Sequence, residues 1–396
     1  MKLGIVAAGL TGWAGGLDFL RMIMDSLYAA GNDVELHLLV PAAGPLINLR
    51  NLKRAMERRT RPEFPAPAAE LKRYHEFFAE QFPQLHIHVI DLGPLALARA
   101  AGRLRLDCLL PAMDAPGPVL RQPWLGYIYD LQHRHYPDFF SRRQRRVSDA
   151  RFTGVLRRAR AVLVNARAVA DDIHHFYPGY RTRLVALPFA PAPRREWLEA
   201  LPGVVEKYGI GDGFFLISNQ FWLHKNHRCA FEALALLRHR SEVELVCTGD
   251  THDYRHPRHF QELRALLDRH GVAGRVRILG HIPKREQMEL VKRCVAVIQP
   301  SLVEGGPGGG AAYDAVSVDT PLLLSDIPVN REIESGYRAY FRPDSPEELA
   351  HRMEQALALP QRVPAEARAD SLLQAGRSRR RQCGEVILEA IAAVSG

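Results

Sequence analysis

Residues 297–332, VIQPSLVEGGPGGGAAYDAVSVDTPLLLSDIPVNRE, decide how the rest of the chain is read. An apolar strand, Val295 to Gln299, runs into a loop with one acid, Glu304, followed by five glycines in the six positions Gly305 to Gly310. A small-residue helix over Ala311 to Val318 carries Asp314 and leads into a second strand, Pro321 to Leu324. A strand, a glycine-rich turn and a helix start gather unsatisfied backbone N–H groups around one concavity, which suits a phosphate. Glycines cost backbone entropy on folding, so a run of them points to positive φ or to close approach of a ligand. The plainer alternative is a flexible connection between two strands. The run differs from the G-x-G-x-x-G fingerprint in lying far from the N-terminus and in having its first acid ahead of the glycines.

Upstream, the same strand, turn and helix recur. Phe214 to Ser218 reads as a strand, followed by NQFWLHKNH (219–227) and a helix from Arg228 to Leu237. Lys225, with His224, stands at that helix start, where a cation neutralises a diphosphate whose oxygens also take backbone N–H bonds; a lone surface lysine is the alternative. Strands at Glu244 to Thr248 and Val276 to Leu279 alternate with helices at Phe260 to His270 and Arg285 to Arg293.

The chain opens on a strand over residues 2–8, a turn through Gly15 and Gly16, a helix from Leu17 to Gly31 and a second strand, the βαβ start of a doubly wound sheet. Gly15 and Gly16 let the backbone approach a negative group at the helix start, unless they serve only a tight turn. Residues 43–80, with candidate helices at Leu49 to Arg59 and Ala69 to Phe82, read as an excursion at the mouth of a cleft. Strands follow at Leu85 to Ile90, Leu106 to Leu110 and Trp124 to Ile128, and the last feeds YDLQHRHYPDFFS (129–141). Asp130, His133 and His135 thus lie past the C-terminal end of a strand, where open α/β sheets keep their sites. They suit proton exchange or positioning of a hydroxyl, with a metal pair or a helix cap as the other readings. A helix at Thr153 to Ala159, a strand at Val162 to Val164 and a helix at Arg167 to Phe176 follow, and helices are expected at Pro364 to Leu373 and Cys383 to Ala393.

At 396 residues the chain is long for one core, and two domains are expected. The prolines Pro191, Pro193 and Pro202 mark the junction, giving an N-terminal domain over 1–190, a linker over 191–213, a C-terminal domain over 214–360 and helices over 361–396 returning toward the N-terminal domain. Hydrophobic residues make up 47% and charged residues 24%, an ordinary globular balance. Five scattered cysteines without a CxxC spacing argue for a reducing compartment and against a zinc site. No run of 18 apolar residues occurs, so a cytoplasmic protein, peripheral to the inner face of the membrane at most, is expected.

The net charge of +9 is concentrated. Between Arg142 and Arg160 stand eight arginines against one acid, Asp149. A solvated basic face is one reading and contact with an anionic membrane surface the other. Without interleaved aromatics or a nucleic-acid module, nucleic acid is not the expected partner.

Taken together, AGLTGWAGGLDFL (8–20), DLQHRHYPDFFS (130–141), SNQFWLHKNH (218–227), LGHIPKREQMELVKRC (279–294) and the stretch over 300–332 resemble the retaining nucleotide-sugar glycosyltransferases of family four, in that family's order. The resemblance implies the GT-B architecture, two Rossmann-like α/β domains facing each other across a cleft, with the nucleotide on the C-terminal domain and the acceptor on the N-terminal one. Glu304 matches the first acid of the family's E-x7-E motif, beside the donor sugar, and Asp314 looks like the second, accepting from the ribose. Ten positions separate them here rather than eight, a difference the turn must absorb. Lys225 matches the diphosphate lysine, while the family's arginine five residues earlier is replaced by Gln220, leaving His224 or an arginine elsewhere to supply the charge.

By the same resemblance Gly15 and Gly16 bring amides to the pyrophosphate, as do Gly308, Gly309 and Gly310, and His133 or, in the other register, His135 faces the transferred sugar beside Asp130. No cofactor or metal is expected, since no Asp-x-Asp site is present. The donor implied is a nucleoside diphosphate sugar, GDP-mannose ahead of UDP-sugars and dTDP-rhamnose, and the acceptor a saccharide or lipid-linked saccharide. An epimerase or phosphorylase on the same frame, or a regulatory protein that only binds nucleotide sugar, are the competing functions.

Overall fold

The computed structural model describes residues 1–11, 14–31, 33–41, 77–78, 81–91, 93–211, 213–334 and 336–395. Most of the expected excursion over 43–80, including the helix at Leu49 to Arg59 and the larger part of that at Ala69 to Phe82, lies outside the described residues.

Two parallel sheets carry the molecule. The first comprises β1 (Lys2–Val6), β2 (Glu35–Pro41), β3 (His86–Ile90), β4 (Cys108–Ala112), β5 (Trp124–Tyr127), β6 (Ala161–Val164) and β7 (Arg183–Ala186), in the order β3-β2-β1-β4-β5-β6-β7. The second comprises β8 (Phe215–Ser218), β9 (Leu245–Thr248), β10 (Val276–Gly280), β11 (Val297–Gln299), β12 (Leu322–Ser325) and β13 (Arg338–Phe341), in the order β10-β9-β8-β11-β12-β13. The central strands are nearly continuous apolar runs because both of their faces are covered, whereas the edge strands β3, β7, β10 and β13 each include exposed positions. Leu3 and Ile5 enter one core while Val6 and Leu109 enter the opposite one, and Phe215 and Ile217 part from Leu216 in the same way. The two domains are Rossmann-like and face each other across a cleft, as expected.

Each sheet grows outward in both directions from its first strand. The order reverses between β1 and β4 in one domain and between β8 and β11 in the other. At such a reversal the connections leave in opposite directions and open a crevice beyond the strand ends. The loop after β8 holds Lys225 and the loop after β11 holds Glu304, so topology alone brings these two segments together.

Four elements stand out against the sequence expectation. The helix Arg142–Arg158 begins well before Thr153, because Ser141 and Gln144 close a capping box in which each side chain bonds the other's backbone amide. Strand β13 and the helix Pro346–Leu357 occupy a stretch to which the sequence reading assigned no element; Ser345 caps that helix through Glu348 N, with Pro346 in its first turn. The C-terminal segment forms one helix, Ala369–Ser395, rather than two. It packs along the helix Ala14–Ala30 and buries Cys383, Ile387, Ile391 and Val394 in the N-terminal core. Each such aliphatic side chain contributes at most about 2 kcal/mol.

The domains touch along one side of the cleft. Glu332 of the C-terminal domain accepts from the backbone amides of Arg167 (3.0 Å) and Ala168 (2.8 Å), capping the helix Arg167–Phe176 from across the gap. Tyr136 Oη donates to Leu302 O at 3.2 Å.

Candidate functional site

The C-terminal wall is tied together by a chain of side chains from the two strands at the topological reversal. Asn219, just past β8, donates through Nδ2 to Gln299 Oε1 at 2.7 Å, and Gln299, the last residue of β11, donates through Nε2 to Glu304 Oε1 at 2.7 Å. Lys225 Nζ reaches the same oxygen at 2.5 Å. The lysine side chain is 12% exposed and the glutamate 7%, so the pair is largely shielded from water, which strengthens its mutual attraction and makes either partner costly to leave alone.

The glycine run serves two different needs. A Cβ on Gly305 would overlap the carbonyl oxygen of Tyr129 and sit 3.0 Å from Asp130 Cβ, so only glycine lets this loop meet the N-terminal domain. Gly308 and Gly309 have φ of +58° and +54°, the left-handed region that turns the chain into the helix Gly309–Ser317. The turn is pinned where Gly308 N donates to Asn330 Oδ1 at 2.9 Å.

The close approach at Gly305 brings Asp130 up to Glu304. Burial pushes the Asp130 carboxyl up to about 6, with Glu304 adding to the rise, although Gln132 N and Gln132 Nε2 donate to it at 3.2 and 2.9 Å. Asp314, on the helix Gly309–Ser317, is buried and accepts from Lys284 Nζ at 2.5 Å and Gln287 Nε2 at 3.0 Å. Burial raises its carboxyl pKa and Lys284 opposes the rise; Asp18 raises it further, which places the first turns of the helix Ala14–Ala30 near Asp314. Gly15, exposed, and Gly16, buried, lie in that helix's first turn.

The histidines stand apart from this group. His133 lies on the short helix Gln132–His135, is buried, and its Nε2 is 2.9 Å from Asp149 Oδ1. Asp149 also accepts from Tyr177 Oη at 2.6 Å. Burial pulls the His133 pKa below its usual value despite Asp149. His135 Nε2 meets Asp172 Oδ2 at 2.7 Å, and that contact raises its pKa.

His224 is buried beside Lys225 and Arg255, and burial first, then those two cations, hold its pKa well below the usual value. It is therefore neutral and does not supply the charge that Gln220 fails to bring. Its Nδ1 accepts from Arg255 Nη2 at 3.3 Å.

The structure thus unites Lys225, Glu304, Asp130 and Gly308 to Gly310, with His224 adjoining, and sets Asp314 with Lys284 farther along the same wall. The sequence reading named none of Asn219, Gln299, Lys284 and Gln287 individually. Lys284 and Gln287 are three apart and so share one face of the helix Lys284–Arg293, a signal available in the sequence. Asn219 and Gln299 had no local signal, since their partnership spans two strands. Among the described residues no group of three or more His, Cys, Asp and Glu is placed to hold a metal ion.

Comparison with known proteins bears on this arrangement. Residues 206–378 match the family model described as Glycosyl transferases group 1. The O-antigen chain mannosyltransferase RfbU of Salmonella typhimurium is 23% identical over 231 residues, covering 57% of this chain and 58% of that protein, so the match spans little more than half of the relative's length. Among solved structures, Anabaena HepE in complex with UDP aligns with a TM-score of 0.64 at 16% identity, covering 99% of both chains. A glycosyltransferase from Rickettsia africae gives a TM-score of 0.65 at 12% identity, covering 99% of this chain and 98% of its own. The fold is thus matched over nearly the whole chain, and the sequence of the C-terminal domain that holds Lys225, Glu304 and Asp314 is similar to the group 1 glycosyl transferases.

Proposed function

We propose that the chain transfers a sugar from a nucleoside diphosphate sugar to a hydroxyl of a saccharide or lipid-linked saccharide, with retention of anomeric configuration. The observation that carries this reading is the Lys225–Glu304 pair, set at the reversal of the C-terminal sheet and brought against Asp130 by a contact that only glycine permits. In this reading the donor diphosphate takes the place at Lys225, assisted by the amides of Gly309 and Gly310 at the helix start and of Gly15 and Gly16 opposite. Glu304 and Asp130 face the positive charge that develops on the sugar ring. Asp314 exchanges Lys284 for the ribose hydroxyls.

The acceptor oxygen attacks C1 on the face from which the phosphate leaves. As the new C1–O bond forms, the C1–O bond to phosphate breaks, and the hydroxyl proton passes to the departing phosphate oxygen. Lys225 balances the charge growing on that oxygen, an electrostatic stabilisation of the transition state. His133 is held through Nε2 by Asp149, so Nδ1 is the atom it offers to a sugar hydroxyl.

For the donor we favour GDP-mannose. The name of the Salmonella relative, a mannosyltransferase, agrees with mannose, while HepE has been solved with UDP and with UDP-glucose and keeps uridine donors in the test. The test is a screen of nucleotide sugars for thermal stabilisation and for turnover with saccharide acceptors. One donor class is expected to stabilise the protein and to yield a product with the donor's anomeric configuration. Inversion would defeat the retaining mechanism; epimerised or phosphorolysed donor would assign the epimerase or phosphorylase reading, and saturable binding without turnover the regulatory one.

The basic helix supports a surface role. Arg142, Arg143, Arg146, Arg157 and Arg158 are exposed on the helix Arg142–Arg158, with Val147 47% exposed among them. We place contact with an anionic bilayer there, which would bring a lipid-linked acceptor to the cleft from the inner membrane face. Among the described residues no helix is long and apolar enough to cross a membrane. Flotation with phosphatidylglycerol vesicles is expected at low salt and not at high salt; equal recovery with neutral vesicles would count against the charge-driven contact.

A further inference from the structure

The sequence leaves the diphosphate one cation short, and the structure makes the shortage sharper. Lys225 is already matched by Glu304, so the pair brings no net positive charge to a ligand. Lys284 is likewise matched by Asp314. His224 is neutral.

Arg255, in the loop after β9 and beside His224, is a cation of this wall that keeps an unfilled donor. Its side chain is only 8% exposed, yet its Nε has no hydrogen-bond partner and lies 3.6 Å from Asp253 Oδ1, beyond hydrogen-bond reach. Asp253 is occupied by the backbone amides of Leu223 (3.0 Å) and Arg255 (2.9 Å). The guanidinium carbon stands 5.5 Å from the ring centre of Trp222, 5.6 Å from that of Tyr254 and 5.0 Å from that of Phe140, which comes from the N-terminal domain. Among the described residues its side-chain hydrogen bond is to His224, the residue next to Lys225. Asp253 balances the buried charge at 3.6 Å without accepting a hydrogen bond from it, so the guanidinium keeps a buried donor that costs free energy unless an acceptor such as a phosphate oxygen fills it. Its reach toward the reacting side of the cleft is marked by its influence on the Asp130 carboxyl.

We infer that Arg255 replaces the arginine missing at Gln220 and binds the diphosphate of the donor together with Lys225. The inference rests on the reading of this cleft as a nucleotide-sugar site. A planar guanidinium offers two parallel N–H groups to neighbouring phosphate oxygens, which an ammonium does not, so arginine rather than lysine suits the position. Because Phe140 caps the guanidinium from the opposite domain, the same side chain senses whether the cleft is closed.

The test compares wild type with Arg255→Met, which keeps the bulk between the rings, and Arg255→Lys, which keeps the charge. Calorimetric titration uses UDP, GDP, dTDP and ADP, each against its own nucleoside, with circular dichroism checking the fold. For the diphosphate that wild type binds, Arg255→Met is expected to weaken affinity at least about tenfold while leaving the nucleoside within about twofold, and Arg255→Lys to fall between. Equal diphosphate affinity in wild type and Arg255→Met overturns the inference, as does a parallel loss of diphosphate and nucleoside. If wild type binds none of the four diphosphates, the donor-site reading itself fails, and that outcome is distinct from a silent Arg255.

Discussion

The two walls of the cleft pair their charged groups in opposite ways. On the C-terminal wall the carboxylates Glu304 and Asp314 are each met by a lysine amine, and the buried histidines His224 and His227 have no carboxylate partner. On the N-terminal wall the histidines take the carboxylates, His133 with Asp149 and His135 with Asp172, and Asp130 is left facing Glu304. Lysine is a flexible point charge that a ligand can draw away, whereas the His133 ring, bonded to Asp149 and in T-shaped contact with Phe140 and Phe152, is fixed in place. One wall therefore stores exchangeable contacts and the other fixes a surface against which they act.

The largest effect should come from breaking the exchangeable wall. Glu304→Gln keeps the shape of the side chain and removes its charge, so the loop keeps a hydrogen-bonding partner for Gln299. Transfer is expected to fall about a hundredfold or more in kcat, the scale of losing one charge aimed at the transition state, with the fold intact by circular dichroism. Activity near wild type would show that the Lys225–Glu304 pair is scaffold too, and the contrast between the walls would collapse.

A smaller loss is expected from the contact that joins the walls. Gly305→Ala puts a methyl group where the Tyr129 carbonyl lies, so the domains must part slightly. Misplacing reacting groups by a fraction of an ångström to an ångström is expected to lower kcat by about tenfold to a hundredfold. The melting temperature should change little, because neither core is touched. A variant with unchanged kcat would mean that chemistry proceeds without this contact.

What was readable in the sequence divides along the same line. The sheets were legible because a doubly covered strand is a short apolar run whatever its partners are, and Lys225, Glu304 and Asp314 were legible because each lies at a fixed offset from a strand end or a glycine. The different uses of Gly305 and Gly308 were not, since one answers to a backbone carbonyl in the other domain and the other to its own φ. The partners of His133 and Lys225 lie 16 and 79 positions away, distances over which no periodic pattern carries information. The helix Pro346–Leu357 does carry a local signal, a Ser345-Pro346 start followed by Glu347 and Glu348 in its first turn.

The smallest effect tests the histidines without carboxylates, and it concerns stability. His227 has no exposed surface, lies stacked on Phe221 at 4.1 Å between ring centres, and neither ring nitrogen has a partner. Burial pushes its pKa down to about 3, with His259 and Lys225 adding to the shift, against 6.5 in the unfolded chain. Between those values the unfolded chain binds a proton that the folded one refuses, so stability rises with pH there. The contribution is present above the unfolded pKa and is lost as pH falls from 6.5 toward 3. At about pH 5 the loss amounts to about 2 kcal/mol. Asp130 works with the opposite sign: its raised pKa favours the fold below 3.8, and that contribution is lost as pH rises through about 6. His227→Phe keeps the stacked ring and removes both the titration and the unpartnered nitrogens. The drop in melting temperature between about pH 7.5 and about pH 5 is expected to narrow in the variant, and not to vanish, because the pKa values of His133, His224 and His259 are also lowered. An unchanged drop would mean that His227 takes up its proton inside the fold, and the C-terminal wall would then hold a cation where the contrast requires a neutral ring.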